Sequence, residues 1–410
     1  MTELRANRWQ LPDGVNELLP EDAWRVETLR RQIMDNAYRW GYELVMPPMI
    51  EYLDSLLTGT GGKLDLQTFK IIDQHNGHSL GIRADMTPQV ARMDAHSLHR
   101  DVPNRFFYTG SVLRARADGA GSSRTPLQFG AELFGHVGTE SDAEIIHLMV
   151  ESVVLAGMAR KELLLDVGHV GVYRALIADA GLPVDDEKLL FDALVRGSRP
   201  EVVDLLQSFG NTPGHAQFNA HINALMQLGG DSQRVLAEAR SQLSGAGHQV
   251  QLALENLQLV IQRVREKLPE VAIHIDLAEL RGFSYHTGIL FTLYDNSGTE
   301  LALGGRYDAI GEAFGRARPA TGFSGDLIGL TLARSSLATE PAPSRGIWVP
   351  ETSDNDNGSS VQELSQVIIK LRGEGERVVM SLPGSSLGAA HCGCDRQLVL
   401  HDGCWTVETL

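Results

Sequence analysis

The spacing of apolar residues divides this chain into stretches of different character. From Glu21 to Trp40 they recur at helical intervals, and YELVMPPMIEY after Gly41 then has the composition of a strand. Pro47 and Pro48 interrupt that strand, which confines them to an edge, a strand start or a bulge. FKIIDQHNGHSLGIRADMT predicts a hairpin with Asn76-Gly77 as a two-residue turn. PQVARMDAHSLHR after it predicts a helix with Pro88 in the first turn. Two β-rich segments follow, RFFYTGSVLRAR and TPLQFGAELFG, joined by a Gly/Ser-rich loop from Asp118 to Ser123, the pattern of an antiparallel pair. A helix then covers SDAEIIHLMVESVVLAG, and ELLLDVGHVGVYRALIADAGL reads as strand, turn and helix.

From about residue 175 to 268 the pattern becomes a series of helix-length apolar repeats, broken by Gly, Pro, Asn and Ser. In the last of them Leu254, Leu257, Ile261, Val264 and Leu268 form one apolar stripe, expected to pack inside this helical insertion. Strands return in VAIHIDLAELRGFSYHTGILFTLYD and LALGGRYDAIGEAFG. Past a Pro/Ser linker, the rest of the chain reads as a small β-α-β module. The expectation is an α+β protein: an antiparallel sheet flanked by helices over residues 1–338, and a small α/β module over 339–410.

Composition narrows the function. The chain has 410 residues, 43% of them hydrophobic, enough for a large domain and a smaller one. No apolar run reaches membrane-spanning length and the first residues lack a signal-peptide pattern, so a cytoplasmic protein is expected. Thirty-six Lys and Arg against 52 Asp and Glu leave a formal charge of −16, which argues against tRNA or another polyanion as partner. Cys392, Cys394 and Cys404 cluster near the C-terminus with His391 and His401, but Cys-x-Cys lacks zinc-site spacing, and no metal or cofactor is expected. His96 and His99 share a helix side without a third ligand and receive no role.

Candidate chemistry gathers around the antiparallel pair. Gln128 and Glu132 are four apart on one strand and so face the same way, with Arg114 near the end of the other segment. An amide, a carboxylate and a guanidinium suit a small zwitterion. Asp85 and Thr87 precede a helix, where they fit a helix cap or an acceptor for an ammonium group, and both roles are compatible.

These residues carry a resemblance. QFGAELFG from Gln128 is similar to motif 2 of the class II aminoacyl-tRNA synthetases in its histidyl form; Arg114 keeps that motif's arginine, while Arg116 stands where the family has an adenine-contacting Glu. Pro48, after a long helix, matches motif 1, which in the family builds the homodimer interface. RADMT (Arg83 to Thr87) resembles the family's Arg-Pro-Glu-Gly-Thr, whose carboxylate and hydroxyl hold the α-amino group of histidine. RGFSYHTG resembles the histidine-recognition motif, which implies a carboxylate or phosphate partner for Arg281 and an imidazole contact for Tyr285, with His286 in place of a second tyrosine. GGRYD (Gly304 to Asp308) matches a family signature, its glycines expected to let backbone approach a ligand. In the place of motif 3, Ile328 and Gly329 stand where the synthetases have Glu and the ATP-gripping Arg, so adenylation would need a substitute cation such as Arg316 or Arg318.

An amino-acid pocket kept beside altered ATP equipment resembles the histidyl-synthetase-like regulatory subunits of ATP phosphoribosyltransferase. The resemblance implies no chemistry by this chain, L-histidine as feedback effector bound by Asp85, Thr87, Arg114, Gln128, Glu132, Arg281, Tyr285 and His286, and a homodimer. It also implies assembly with the short-form catalytic subunit as a hetero-octamer, with the Asp118 to Ser123 loop or the Arg281 to Gly288 turn as the switching element. The rival reading is a divergent histidyl-tRNA synthetase or a free-standing amino-acid adenylating enzyme.

Overall fold

The computed structural model describes residues 9–59, 62–117, 123–209, 213–280, 285–335, 346–351, 358–384 and 387–410. Its contacts divide the chain into Met1–Leu337 and Ala338–Leu410.

The first unit is built on a nine-stranded sheet. Its strands are β1 (Glu43–Leu44), β5 (Asn104–Ser111), β6 (Leu127–Phe134), β7 (Leu163–His169), β8 (Gly229–Asp231), β9 (Ala272–Asp276), β10 (Ile289–Asp295), β11 (Glu300–Arg306) and β12 (Ala320–Asp326). They lie in the order β1-β5-β6-β12-β11-β10-β7-β9-β8. Pairing is antiparallel except at β1–β5 and β7–β9. One face is closed by helices α1 (Pro20–Arg39), α3 (Thr139–Leu155) and α5 (His248–Lys267), whose apolar residues pack with Phe107, Phe129, Leu133, Leu165 and Val167. α1 shows why the pattern works: Pro20 opens it, acidic Glu21 and Asp22 sit in its first turn, and Val26, Leu29, Ile33 and Ala37 line its buried side. On the opposite face, α2 (Thr87–Arg92) packs Val90 and Ala91 with Met86, Phe106, Tyr108, Phe134 and Tyr307. Helix α6 (Leu327–Ser335) follows β12 directly.

Three local expectations differ from what is observed. YELVMPPMIEY is two strands: β1 joins the large sheet, whereas β2 (Ile50–Tyr52) joins β3 (Phe69–Ile72) and β4 (Ser79–Ile82) in a three-stranded sheet of order β2-β4-β3. The two prolines separate the sheets because neither nitrogen can donate to a ladder. Asn76-Gly77 belongs to a longer loop from Asp73 to His78, closed by bonds from Asp73 N–H to His78 O (2.9 Å) and from Gly77 N–H to Asp73 O (2.8 Å). The Asp73 and Asn76 side chains accept further N–H groups there, which a two-residue turn could not offer. The α5 stripe is buried, yet the helix packs chiefly on α3, which precedes the insertion, and on α4 (Val170–Ala180), which lies at its start. Periodicity reveals a buried face without naming the element that covers it.

The second unit orders β13 (Ile347–Val349), α7 (Gly358–Gly373), β14 (Val378–Met380), β15 (Arg396–His401) and β16 (Cys404–Thr409) into a sheet of order β14-β13-β15-β16. Ile347, Val349, Leu364, Ile368, Val378 and Leu398 form its core. Cys394 is buried, Cys392 half-buried and Cys404 exposed, and among the described residues no three potential metal ligands cluster. No described helix is long and apolar enough to cross a membrane.

Candidate functional site

The floor of the site follows from strand register. Phe106 lies opposite Glu132, Tyr108 opposite Gly130 and Gly110 opposite Gln128; Glu132 in turn lies opposite Gly322, and Gly322 opposite Gly305. Residues directly opposite share a face, so Tyr108, Gln128 and Glu132 project together above a lane of glycines. A Cβ at Gly130 would collide with the Tyr108 hydroxyl, and one at Gly322 with both Glu132 Oε2 and the Tyr307 hydroxyl. At Gly305 a Cβ would lie 2.6 Å from the His286 ring. The lane is therefore a trough filled by polar side chains of the protein itself. This corrects the expectation that the Gly304-Gly305 backbone is bared for a ligand: the Gly304 side is filled by Phe291.

Glu132 is 1% exposed. Its Oε1 accepts a hydrogen bond from the Tyr108 hydroxyl at 3.0 Å, while Oε2 has no hydrogen-bond partner among the described residues. Tyr307, 3% exposed, likewise leaves its hydroxyl without a partner there. Both groups crowd the space above Gly322. Burial pushes the Glu132 carboxyl well above the usual carboxylate range; the Thr87 and Tyr108 hydroxyls oppose the shift, and the Asp85 charge adds to it. Burial, and then the Glu132 and Asp85 charges, also push the Tyr108 phenol well up, so it serves as donor.

Asp85 and Gln128 form the adjoining wall. Asp85 Oδ1 accepts from Thr87 N–H at 3.0 Å and from Gln128 Nε2 at 2.7 Å, and Gln128 Oε1 accepts from Met86 N–H at 3.0 Å. Asp85 thus accepts the first N–H of α2, whose N-cap position is Met86, and joins the pocket wall at once. The Thr87 hydroxyl lies 3.1 Å from that of Tyr108 and ties this wall to Glu132. His286, 5% exposed, stacks on Tyr285 at 4.1 Å and lies 6.0 Å from the Tyr307 ring. Tyr285 is 41% exposed and forms the outer rim.

Arg114 lies toward the end of β12 where Asp326 stands opposite Gln128. Its backbone bridges Thr68, and its charge is felt by Asp326, where β12 runs into α6. Burial raises the Asp326 carboxyl, opposed by the N–H groups of Ile328, Gly329 and Leu127 and by Arg114. Arg281 lies outside the described residues, as do Asp118 to Ser122 of the proposed switch loop and Arg281 to Ser284 of the proposed switch turn. Arg306 of GGRYD is a structural clamp: it pairs with buried Asp142 at 3.0 Å and donates to Ser141 Oγ and to the carbonyls of His136 and Gly138, fixing β11 to the start of α3. The two candidate substitute cations are engaged, Arg316 with Asp101 at 2.5 Å and Arg318 with buried Asp94 at 3.0 Å.

Sequence reading missed Tyr108 and Tyr307 as pocket residues. Tyr108 was accessible in principle, since it alternates with Phe106 and Gly110 on a strand paired with β6, but only the register sets it over Gly130. Tyr307 lay hidden in a motif read for its glycines.

Comparison with known proteins agrees with this architecture. The sequence family described as Histidyl-tRNA synthetase matches residues 14–330, and one described as ATP phosphoribosyltransferase subunit HisZ C-terminal domain matches residues 344–408. The chain is 52% identical to an ATP phosphoribosyltransferase regulatory subunit of Thioalkalivibrio sulfidiphilus over 99% of both chains. It is 47% identical to one of Pseudomonas fluorescens over 98% of both. Among solved structures it is similar to an ATP phosphoribosyltransferase regulatory subunit/histidyl-tRNA synthetase from Bacillus halodurans, with TM-score 0.80 and 27% identity, covering 93% of this chain and 95% of that one. A histidyl-tRNA synthetase from Nostoc shares the fold, with TM-score 0.77 at 19% identity, over 96% of this chain and 91% of that one.

Proposed function

The chain belongs to the family of ATP phosphoribosyltransferase regulatory subunits, non-catalytic members of an enzyme complex of histidine biosynthesis, and from that premise we propose that it activates a short catalytic subunit and binds L-histidine as feedback inhibitor. The observation that carries the ligand is the pair of groups above Gly322 that have no hydrogen-bond partner among the described residues, Glu132 Oε2 and the Tyr307 hydroxyl. Once ionised, a buried carboxyl with one unpartnered oxygen calls for a donor, and an imidazole N–H supplies one, offsetting the burial that raises the pKa of the group. The tyrosine hydroxyl either donates or accepts, so it matches the same ring in either tautomer. Asp85, held beside Gln128, is the anionic acceptor for the α-ammonium group, and Thr87 completes that wall. Arg281 and Arg114 are the cations assigned to the carboxylate end, with Tyr285 and His286 closing the rim.

Equal affinity for two states of a complex shifts nothing, so inhibition requires histidine to bind the inactive arrangement more tightly. The absence of adenylation in this reading is supported by Ile328 and Gly329 at the start of α6 and by the ion pairs that occupy Arg316 and Arg318. The exposed apolar residues Met46, Met49, Ile50 and Tyr52, in the segment resembling motif 1, support a homodimer through that surface.

The deciding experiment is phosphoribosyl-ATP formation by the short catalytic chain, with and without this protein, across a histidine titration. Turnover is expected to rise on addition and to fall with histidine, and Asp85→Ala is expected to keep the activation while losing the inhibition. Activation without any response to histidine removes the ligand assignment. Histidine-dependent exchange of pyrophosphate into ATP by the isolated chain favours the adenylating reading instead.

A further inference from the structure

Arg83 is a buried cation whose side chain bonds, among the described residues, only to carbonyls. It is 6% exposed, and burial lowers its pKa from the ordinary guanidinium value. Nε donates to Ser111 O at 2.9 Å and Nη1 to Pro47 O at 2.6 Å. Its backbone bonds run the same way, N–H to Met49 O at 3.0 Å and its own carbonyl to Leu113 N–H at 2.9 Å. Gly110 makes room for it, because a Cβ there would lie 2.6 Å from Nη2. Gly110 is the residue opposite Gln128, so the guanidinium lies at the border of the pocket floor.

Two further side chains from the same stretch reach the same segment. Gln89, 2% exposed, donates to Pro48 O and Glu51 Oε1, both at 2.8 Å. Arg92 donates to Glu51 Oε1 at 2.6 Å. Residues 83–92 therefore hold Pro47–Glu51 at four residues, Pro47, Pro48, Met49 and Glu51, and that stretch also carries Asp85, Met86 and Thr87 of the pocket wall. The held segment bears the exposed side chains Met49 (48%), Ile50 (49%) and Tyr52 (54%).

We infer that Arg83 is a positioning residue that couples the pocket to the Pro47–Tyr52 surface, so that filling the pocket is felt there. A desolvated guanidinium cannot release its carbonyls without leaving a buried charge unpaired, so the two segments move as one body. The inference rests on the histidine reading above and adds the route by which that site reports outward. A purely structural Arg83 would hold the fold and be indifferent to ligand.

The test is amide hydrogen exchange of the full chain with and without saturating L-histidine, with calorimetric titration of the same samples. Histidine is expected to slow exchange at residues 49–52 by about fivefold or more, at the lower end of typical coupling between sites. Arg83→Gln, or Arg83→Lys if the first variant does not fold, is expected to bind histidine within about threefold of the parent and to lose that slowing. No slowing in the parent with histidine bound overturns the inference, and so does undiminished slowing in a folded variant. A folded variant that no longer binds histidine also overturns it, because Arg83 would then belong to the pocket. Absence of any binding heat in the parent sinks the histidine reading itself, and the inference with it.

Discussion

Glu132 has one oxygen bonded to Tyr108 and one buried without a hydrogen-bond partner among the described residues, an arrangement that costs stability until a donor arrives. Glu132→Gln keeps the shape and the bond from Tyr108 but turns the bare acceptor into a donor. Histidine affinity should fall by about tenfold or more, as for a donor facing a donor, while the ligand-free protein melts no lower than the parent. Calorimetric titration beside thermal melts reads both. His169 gives a pH prediction. It is 8% exposed, its Nδ1 accepts the Gly171 N–H at 3.1 Å, and its pKa is lowered to about 4, by burial first and by the Arg306 charge, against an opposing bond from Asn256. The folded pKa lies below the unfolded one, so the neutral ring's contribution is complete above about pH 6.5 and is lost as pH falls towards 4. The loss is at most about 3 kcal/mol. Denaturant midpoints measured from pH 7 to pH 4 should fall less steeply for His169→Asn than for the parent.

At the scale of elements, the site depends on three strands lacking side chains where others need the space. Gly322→Ala puts a methyl group into the space shared by Glu132 Oε2 and the Tyr307 hydroxyl. Overpacking of this kind costs about 1–3 kcal/mol, so the variant should melt several degrees lower and bind histidine weakly; unchanged melting and binding would mean that the trough is roomier than its geometry. Element types were legible in sequence because the apolar spacing of α1, α3 and α5 and the alternation of β5 and β6 are strong. Partnerships were not. The split of YELVMPPMIEY between two sheets and the packing of α5 on α3 both depend on what lies across the gap, which local pattern does not encode. The prolines did mark the break, as their missing N–H requires.

At the scale of the whole molecule, every described pocket residue lies in the first unit, Met1–Leu337. In the proposed reading, activation of a partner and response to a small effector involve different residues, so pocket variants should abolish inhibition and spare activation. The proposed homodimer has its own test. Met49→Asp with Tyr52→Asp introduces charges into exposed apolar positions and should shift sedimentation from dimer to monomer without loss of helical signal; an unchanged sedimentation coefficient would move the interface elsewhere. By itself the sequence determined the types of the main elements, the α+β class, the acidic surface, and the identities of Asp85, Thr87, Gln128 and Glu132 as polar residues in suspicious company. These are properties of residue chemistry and of spacing along one element. Only the tertiary structure decided that Tyr108 and Tyr307 converge on Glu132, that Arg306 and Arg318 are spent on buried carboxylates, and that Arg83 bonds the carbonyls of Pro47 and Ser111 beside the pocket floor. Each of those facts depends on register between strands far apart in sequence, and register is fixed by the packing of the whole sheet.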